Sequence, residues 1–201
     1  MLTDVLISCV LLFLSELSYT IATPRNVTVD DEASDGGVVP VYLPSNYAWT
    51  QGATCSSCGV QPLKSRAYNS TWHDTTNHPE DGADKQRAIE VTFNGEFTHP
   101  LLHSSPKVHS NGPYKGTAIY VYFIIANTVV DPGVDTSTYM NFIVDNEPVS
   151  SYSHEPAANT RFRYDVLVYY NDTLPAEQHL LRMEAAETNT SLILFDYLAY
   201  T

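Results

Sequence analysis

From Gly116 to Asn127 the chain reads Gly-Thr-Ala-Ile-Tyr-Val-Tyr-Phe-Ile-Ile-Ala-Asn, with neither a charge nor a proline. Thr117, Ile119, Val121, Phe123 and Ile125 share one parity, and Ala118, Tyr120, Tyr122, Ile124 and Ala126 share the other. A strand sends alternate residues to opposite faces, so this one carries apolar groups on both. Such a ribbon needs cover on both sides, as a central strand of a packed sheet has it. Gly-Pro-Tyr-Lys-Gly at 112–116 and Asp-Pro-Gly at 131–133 bound it with turn residues rather than helix caps. Ser191 to Tyr200 repeats the pattern at the end of the sequence. The two ribbons are expected to lie side by side inside a stack of two sheets.

The remaining segments alternate as strands with one wet face. Asn26–Asp30 and Val38–Leu43 read as short strands, the second interrupted by Pro40 and so suited to an edge. Ile89, Val91 and Phe93 share a face, as do Met140, Phe142 and Val144, then Phe162, Tyr164, Val166 and Val168, then His179, Leu181 and Met183. Asn94-Gly95 and Asp145-Asn146-Glu147-Pro148 read as turns, and Ser45–Gly82 as one long ordered loop. Helical periodicity is nearly absent, with one turn expected at most at Pro175–Gln178. About eight strands without intervening helices predict an all-β, antiparallel two-sheet β-sandwich of jelly-roll type, with long loops and little helix.

Val5–Leu14 is a hydrophobic leader core too short to span a bilayer, and small residues follow at Thr20 and Ala22. The expectation is a signal peptide at 1–22, a single domain at 23–201, secretion, and no transmembrane anchor in this chain. The formal charge of −13 disfavours nucleic acid and anionic membranes as partners. Cys9 leaves with the leader, and Cys55 and Cys58 then suit a local disulfide in an oxidising compartment. A redox pair would need a helix N-terminus, and zinc a second pair of ligands. Four sequons, at Asn26, Asn69, Asn171 and Asn189, fit a secreted glycoprotein.

Several short matches follow one another in order: Val27-Thr-Val-Asp-Asp31, Cys55-x-x-Cys58, Ser70-Thr-Trp-His-Asp74, Gly116–Tyr122, Phe142-x-Val-Asp145, His179-x-Leu181 and Leu194-Phe-Asp-Tyr197 before Tyr200-Thr201. In this the chain resembles the secreted and membrane-anchored β-sandwich proteins of mushroom-forming fungi, which are similar to galactose-binding-like jelly rolls. The resemblance implies a jelly roll and glycan binding. Many members continue into a transmembrane helix and cytoplasmic tail; here neither is expected. The stretch 94–113 also resembles an inserted loop.

Trp72, His73 and Asp74 are the densest candidate site. An indole stacks on a sugar ring while imidazole and carboxylate bond its hydroxyls. The competing reading packs Trp72 on a sheet, with His73 and Asp74 tying a loop; Trp49 has the same two readings. Asp30, Asp31 and Asp196 are oxygen donors of the kind calcium takes, and similar jelly rolls hold a structural calcium. The plainer reading makes Asp30-Asp31-Glu32 a solvated turn. His78, His99, His103 and His109 have no metal-binding spacing, and His179 reads as a satisfied core histidine. No Gly-x-Ser-x-Gly elbow occurs. The function expected is non-catalytic binding of a glycan or cell-wall polysaccharide, with no cofactor. The alternatives are a structural or cell-surface interaction protein and, third, a hydrolase.

Overall fold

The computed structural model describes residues 26–32, 34, 37–45, 47–94, 117–129, 133–158 and 160–201. The leader, Cys9, Gly95 and His99, His103 and His109 lie outside these residues. The strands are β1 (Val27–Asp30), β2 (Val41–Leu43), β3 (Thr50–Gln51), β4 (His73–Asn77), β5 (Ala88–Asn94), β6 (Thr117–Ala126), β7 (Thr138–Val144), β8 (Glu147–His154), β9 (Phe162–Leu174), β10 (Gln178–Ala185) and β11 (Ser191–Tyr200). One sheet orders β3-β4-β11-β6-β9, with β1 also on β11; the other orders β2-β5-β10-β7-β8. Every pairing between these strands is antiparallel. The molecule is thus an all-β sandwich, and its helical content among the described residues is short 3-10 turns.

The two ribbons pair with each other, Phe195 opposite Phe123 and Tyr200 opposite Ile119. One face of β6 (Ile119, Val121, Phe123, Ile125) meets Ile89, Val91 and Phe93 of β5, Phe142 of β7 and Leu181 and Met183 of β10 in the inter-sheet core. Each such side chain contributes about 1.5–3 kcal/mol by leaving water. The other face is covered over part of its length: Ile124 and Ala126 pack with Leu192, Leu194 and Trp72 under Ala53 and Val60 of the β3–β4 connection. That outer layer explains the apolar second parity.

The structure corrects the reading in three places. The stretch 45–82 contains β3 and β4, so Trp72-His73-Asp74 sits at and just before a strand rather than on a loop. Glu147–His154 is the edge strand β8, hidden from pattern reading because nearly all of it is exposed. In β9, Asp165 takes a left-handed φ of 53° and the register against β6 shifts. Phe162 and Tyr164 therefore pack in the outer layer, while Val166 and Val168 reach the inter-sheet core. Pro175–Gln178 forms a tight β9–β10 turn and no helix. No helix among the described residues is long and apolar enough to cross a membrane.

Candidate functional site

The four ligand residues expected from sequence do not converge. Trp72 is 1% exposed, and a Cβ on Gly52 would lie 1.9 Å from its Nε1. Its indole is clamped beneath the chain and has no face left for a sugar, so the stacking role is withdrawn. Trp49 is half-buried; its Nε1 donates to the Leu43 carbonyl at 2.9 Å and its ring packs on Tyr42. His73 turns toward the sandwich interior, 2.8 Å from Asp31 and stacked on Tyr42 with centroids 4.1 Å apart. Asp74, next on the strand, faces the opposite way. Burial pushes its carboxyl up to about 6.

β4 and β1 lie end to end along the same edge of β11, with Phe195 opposite His73 and Tyr197 opposite Asp30. Asp196 falls at the register shift between them. Three carboxyls meet at this junction. Asp30 accepts from Asn69 Nδ2 at 2.9 Å, Asp196 from the Tyr68 N–H at 2.9 Å, and Asp31 faces His73. Asp30 Oδ1, Asp31 Oδ1 and Asp196 Oδ2 are buried without a partner among the described residues. Burial pushes Asp196 up to about 8, with Asp165, Asp30 and Asp31 adding repulsion. Asp30 rises to about 6, first through burial, with the neighbouring Asp31 charge adding to it.

Among the described residues no three His, Cys, Asp or Glu are arranged to hold a metal ion. The calcium expectation on Asp30, Asp31 and Asp196 is therefore not met, and the solvated-turn reading of Asp30-Asp31-Glu32 fails too, since Asp30 and Asp31 are buried. The junction is a proton-holding seam that clips the 68–71 segment and β1 onto β11.

Cys55 and Cys58 form the expected disulfide, with Gln61 Nε2 donating to both of their carbonyls. Asn26 and Asn189 are exposed, whereas Asn69 spends its amide on Asp30 and Asn171 is half-buried, accepting from Thr173. His179 is the satisfied core histidine expected: Nδ1 lies 2.7 Å from Asp145 and Nε2 2.9 Å from the Pro175 carbonyl.

A different set of residues converges at the end of the sandwich where β4 and β10 finish and β5 and β11 begin. A pocket of about 220 Å³ is lined by Asn77, His78, Pro79, Gly82, Ala83, Gln86 and Glu187. Asn77 is 3% exposed; its Oδ1 accepts the Arg87 N–H at 3.0 Å, and its Nδ2 has no partner among the described residues. Gln86 spends its Nε2 on the Ala185 carbonyl and leaves Oε1 to the pocket. Gly82, at φ +98°, makes the turn between the two short 3-10 segments Pro79–Asp81 and Ala83–Lys85 that form one wall. The loop after β2 reaches the same end, since Leu43 pairs with Ala88. The Thr75 hydroxyl donates to the Ala48 carbonyl and accepts from Arg87 Nε, joining that loop to the pocket wall. On it Tyr47 stands fully exposed at φ 51°. A bulky residue in the left-handed region is strained, and strain of this kind concentrates at binding sites.

Sequence reasoning missed these residues because Glu187 lies about a hundred positions beyond Gln86. The only local signal was the Pro- and Gly-punctuated polar run at 78–85.

Neither known family profiles nor curated proteins match the chain. Solved structures do. A family 35 carbohydrate binding module from Clostridium thermocellum aligns at TM-score 0.41 and 13% identity, over 88% of this chain and 98% of that one. A CBM35 from Cellvibrio japonicus aligns at 0.40 and 10%, over 81% and 92%. An exo-beta-1,3-galactanase from Phanerochaete chrysosporium aligns at 0.41 and 12%, over 89% of this chain but only 29% of that one. These are similarities of fold.

Proposed function

We propose that the protein is a secreted, non-catalytic glycan-binding module whose site is the pocket at this end of the sandwich. One observation carries the reading: a deep-set donor, Asn77 Nδ2, and free acceptors on Gln86 and Glu187 share a pocket, at the end that also presents Tyr47. Sugars are bound by hydroxyl hydrogen bonds in a polar recess and by an aromatic ring against the apolar face of the pyranose. Binding a neutral ring here asks for no proton transfer.

The test is a glycan array with the purified full chain. Binding that is lost in Tyr47→Ala and Asn77→Ala, with unfolding transitions kept, supports the reading. A silent array sinks it. The runner-up is a structural or cell-surface interaction protein without a glycan site, and the enclosure of both tryptophans favours it. In that case the array is silent and the protein still adheres to the surface of the cells that secrete it.

A further inference from the structure

The charges around the pocket are one-sided. Glu187 contributes a carboxylate with no ion pair among the described residues. Glu80, exposed and 3.6 Å from His78 Nδ1, stands on the first short 3-10 segment with Asp81, and Asp84 stands on the second. Against these four acids the same wall carries Lys85. The other nearby cation is turned inward: Arg87 gives Nε to the Thr75 hydroxyl at 3.2 Å and Nη1 to the Lys85 carbonyl at 2.5 Å. Among the described residues the lining therefore contains no guanidinium or ammonium, the groups that hold a sugar carboxylate through charge-assisted pairs. What it offers is acceptors, Glu187 and Gln86 Oε1, with Asn77 Nδ2 and the His78 ring as the donor side. A ligand matching that inventory presents a cationic donor beside a hydroxyl.

We infer that the pocket takes an amino sugar with a free, protonated amine, a glucosamine unit of a deacetylated polysaccharide, its ammonium on Glu187 and Gln86 and a neighbouring hydroxyl on Asn77. This rests on the glycan reading of the same pocket and narrows it. Uronic acids are excluded by repulsion from the acidic wall. N-acetylated units lose the charge that Glu187 meets.

The experiment is calorimetric titration of the full chain, at mildly acidic pH, with oligomers of glucosamine, N-acetylglucosamine, glucose and galacturonic acid. A hydrogen bond to a charged partner is strong enough for the glucosamine oligomer to bind at least about tenfold tighter than the other three. Glu187→Gln removes that advantage, while Glu147→Gln, which drops an exposed acid on the β7–β8 turn at the opposite end, leaves it intact. Equal losses in the two variants would show a diffuse polyanion effect and overturn the site. Equal affinity for glucosamine and glucose overturns the amino-sugar assignment and leaves the glycan reading standing. Tightest binding to galacturonate also overturns it. No binding to any of the four overturns both.

Discussion

The end pocket and the carboxylate junction behind β11 are both polar clusters with atoms that no group among the described residues satisfies, yet they sit in opposite surroundings. Asn77, Gln86 and Glu187 line an open recess. Asp30 Oδ1, Asp31 Oδ1 and Asp196 Oδ2 are sealed. At Asp30 and Asp196 burial makes the charge costly enough that the carboxyl holds its proton to higher pH. Openness thus separates the pocket proposed to bind from the seam that only stabilises, and residue type alone does not. A third cluster sets the scale: in Asp145–His179 both imidazole nitrogens face acceptors and both Asp145 oxygens are engaged.

The contrast can be broken in four ways, from the largest expected effect to the smallest. Trp72→Ala should cost about 3–5 kcal/mol in chemical unfolding, because the indole fills the outer layer beside the sealed seam. A cost near zero would return Trp72 to the solvent-facing side. Second, the seam should make the protein acid-stabilised. Folded-state values raised on Asp196 and Asp30 mean that the native chain binds more protons than the unfolded one. Stability then falls as pH rises from 3.8 toward about 8. Asp196→Asn should flatten this slope and raise the melting temperature at the alkaline end by several degrees. A melting temperature that rises with added calcium and falls with a chelator would replace the proton by a cation.

Third, Asp145→Asn should cost about 1 kcal/mol, discounted because the carboxylate is half-exposed. Burial lowers His179, but its bonds to Asp145 and the Pro175 carbonyl outweigh this and hold it above the usual histidine value. Burial raises Asp145, but His179 and the Leu180 N–H hold it below the usual carboxylate range. The His179 contribution is complete below its unfolded value of 6.5 and fades as pH climbs through the folded one; the Asp145 contribution is complete above 3.8 and fades on acidification. The pair is strongest between those limits, and denaturant midpoints across pH in wild type and Asp145→Asn check it. Last, Glu187→Gln should leave stability within about 0.5 kcal/mol, since no contact is lost. A larger drop would move the pocket to the structural side.

Alternation along the chain determined most of the scaffold. It gave the two ribbons β6 and β11, the inward faces of β5, β7 and β10 and the place of His179, while the Cys55–Cys58 loop was legible from its C-x-x-C spacing. That information is local, because a pleat repeats every two residues whatever its neighbours are. β4 escaped notice because His-Asp-Thr-Thr-Asn has no apolar face of its own; it is buried by its position between β3 and β11. The choice between a sugar-stacking and a packed Trp72 turned on Gly52, twenty positions earlier, whose missing side chain admits the indole. The meeting of Asp30 and Asp31 with Asp196 depended on β1 and β4 sharing one edge of β11. The pocket depended on the 78–86 wall facing the β10–β11 turn. Such convergence is set by pairing across many residues, to which a two-residue period is blind, and only the folded chain decided it.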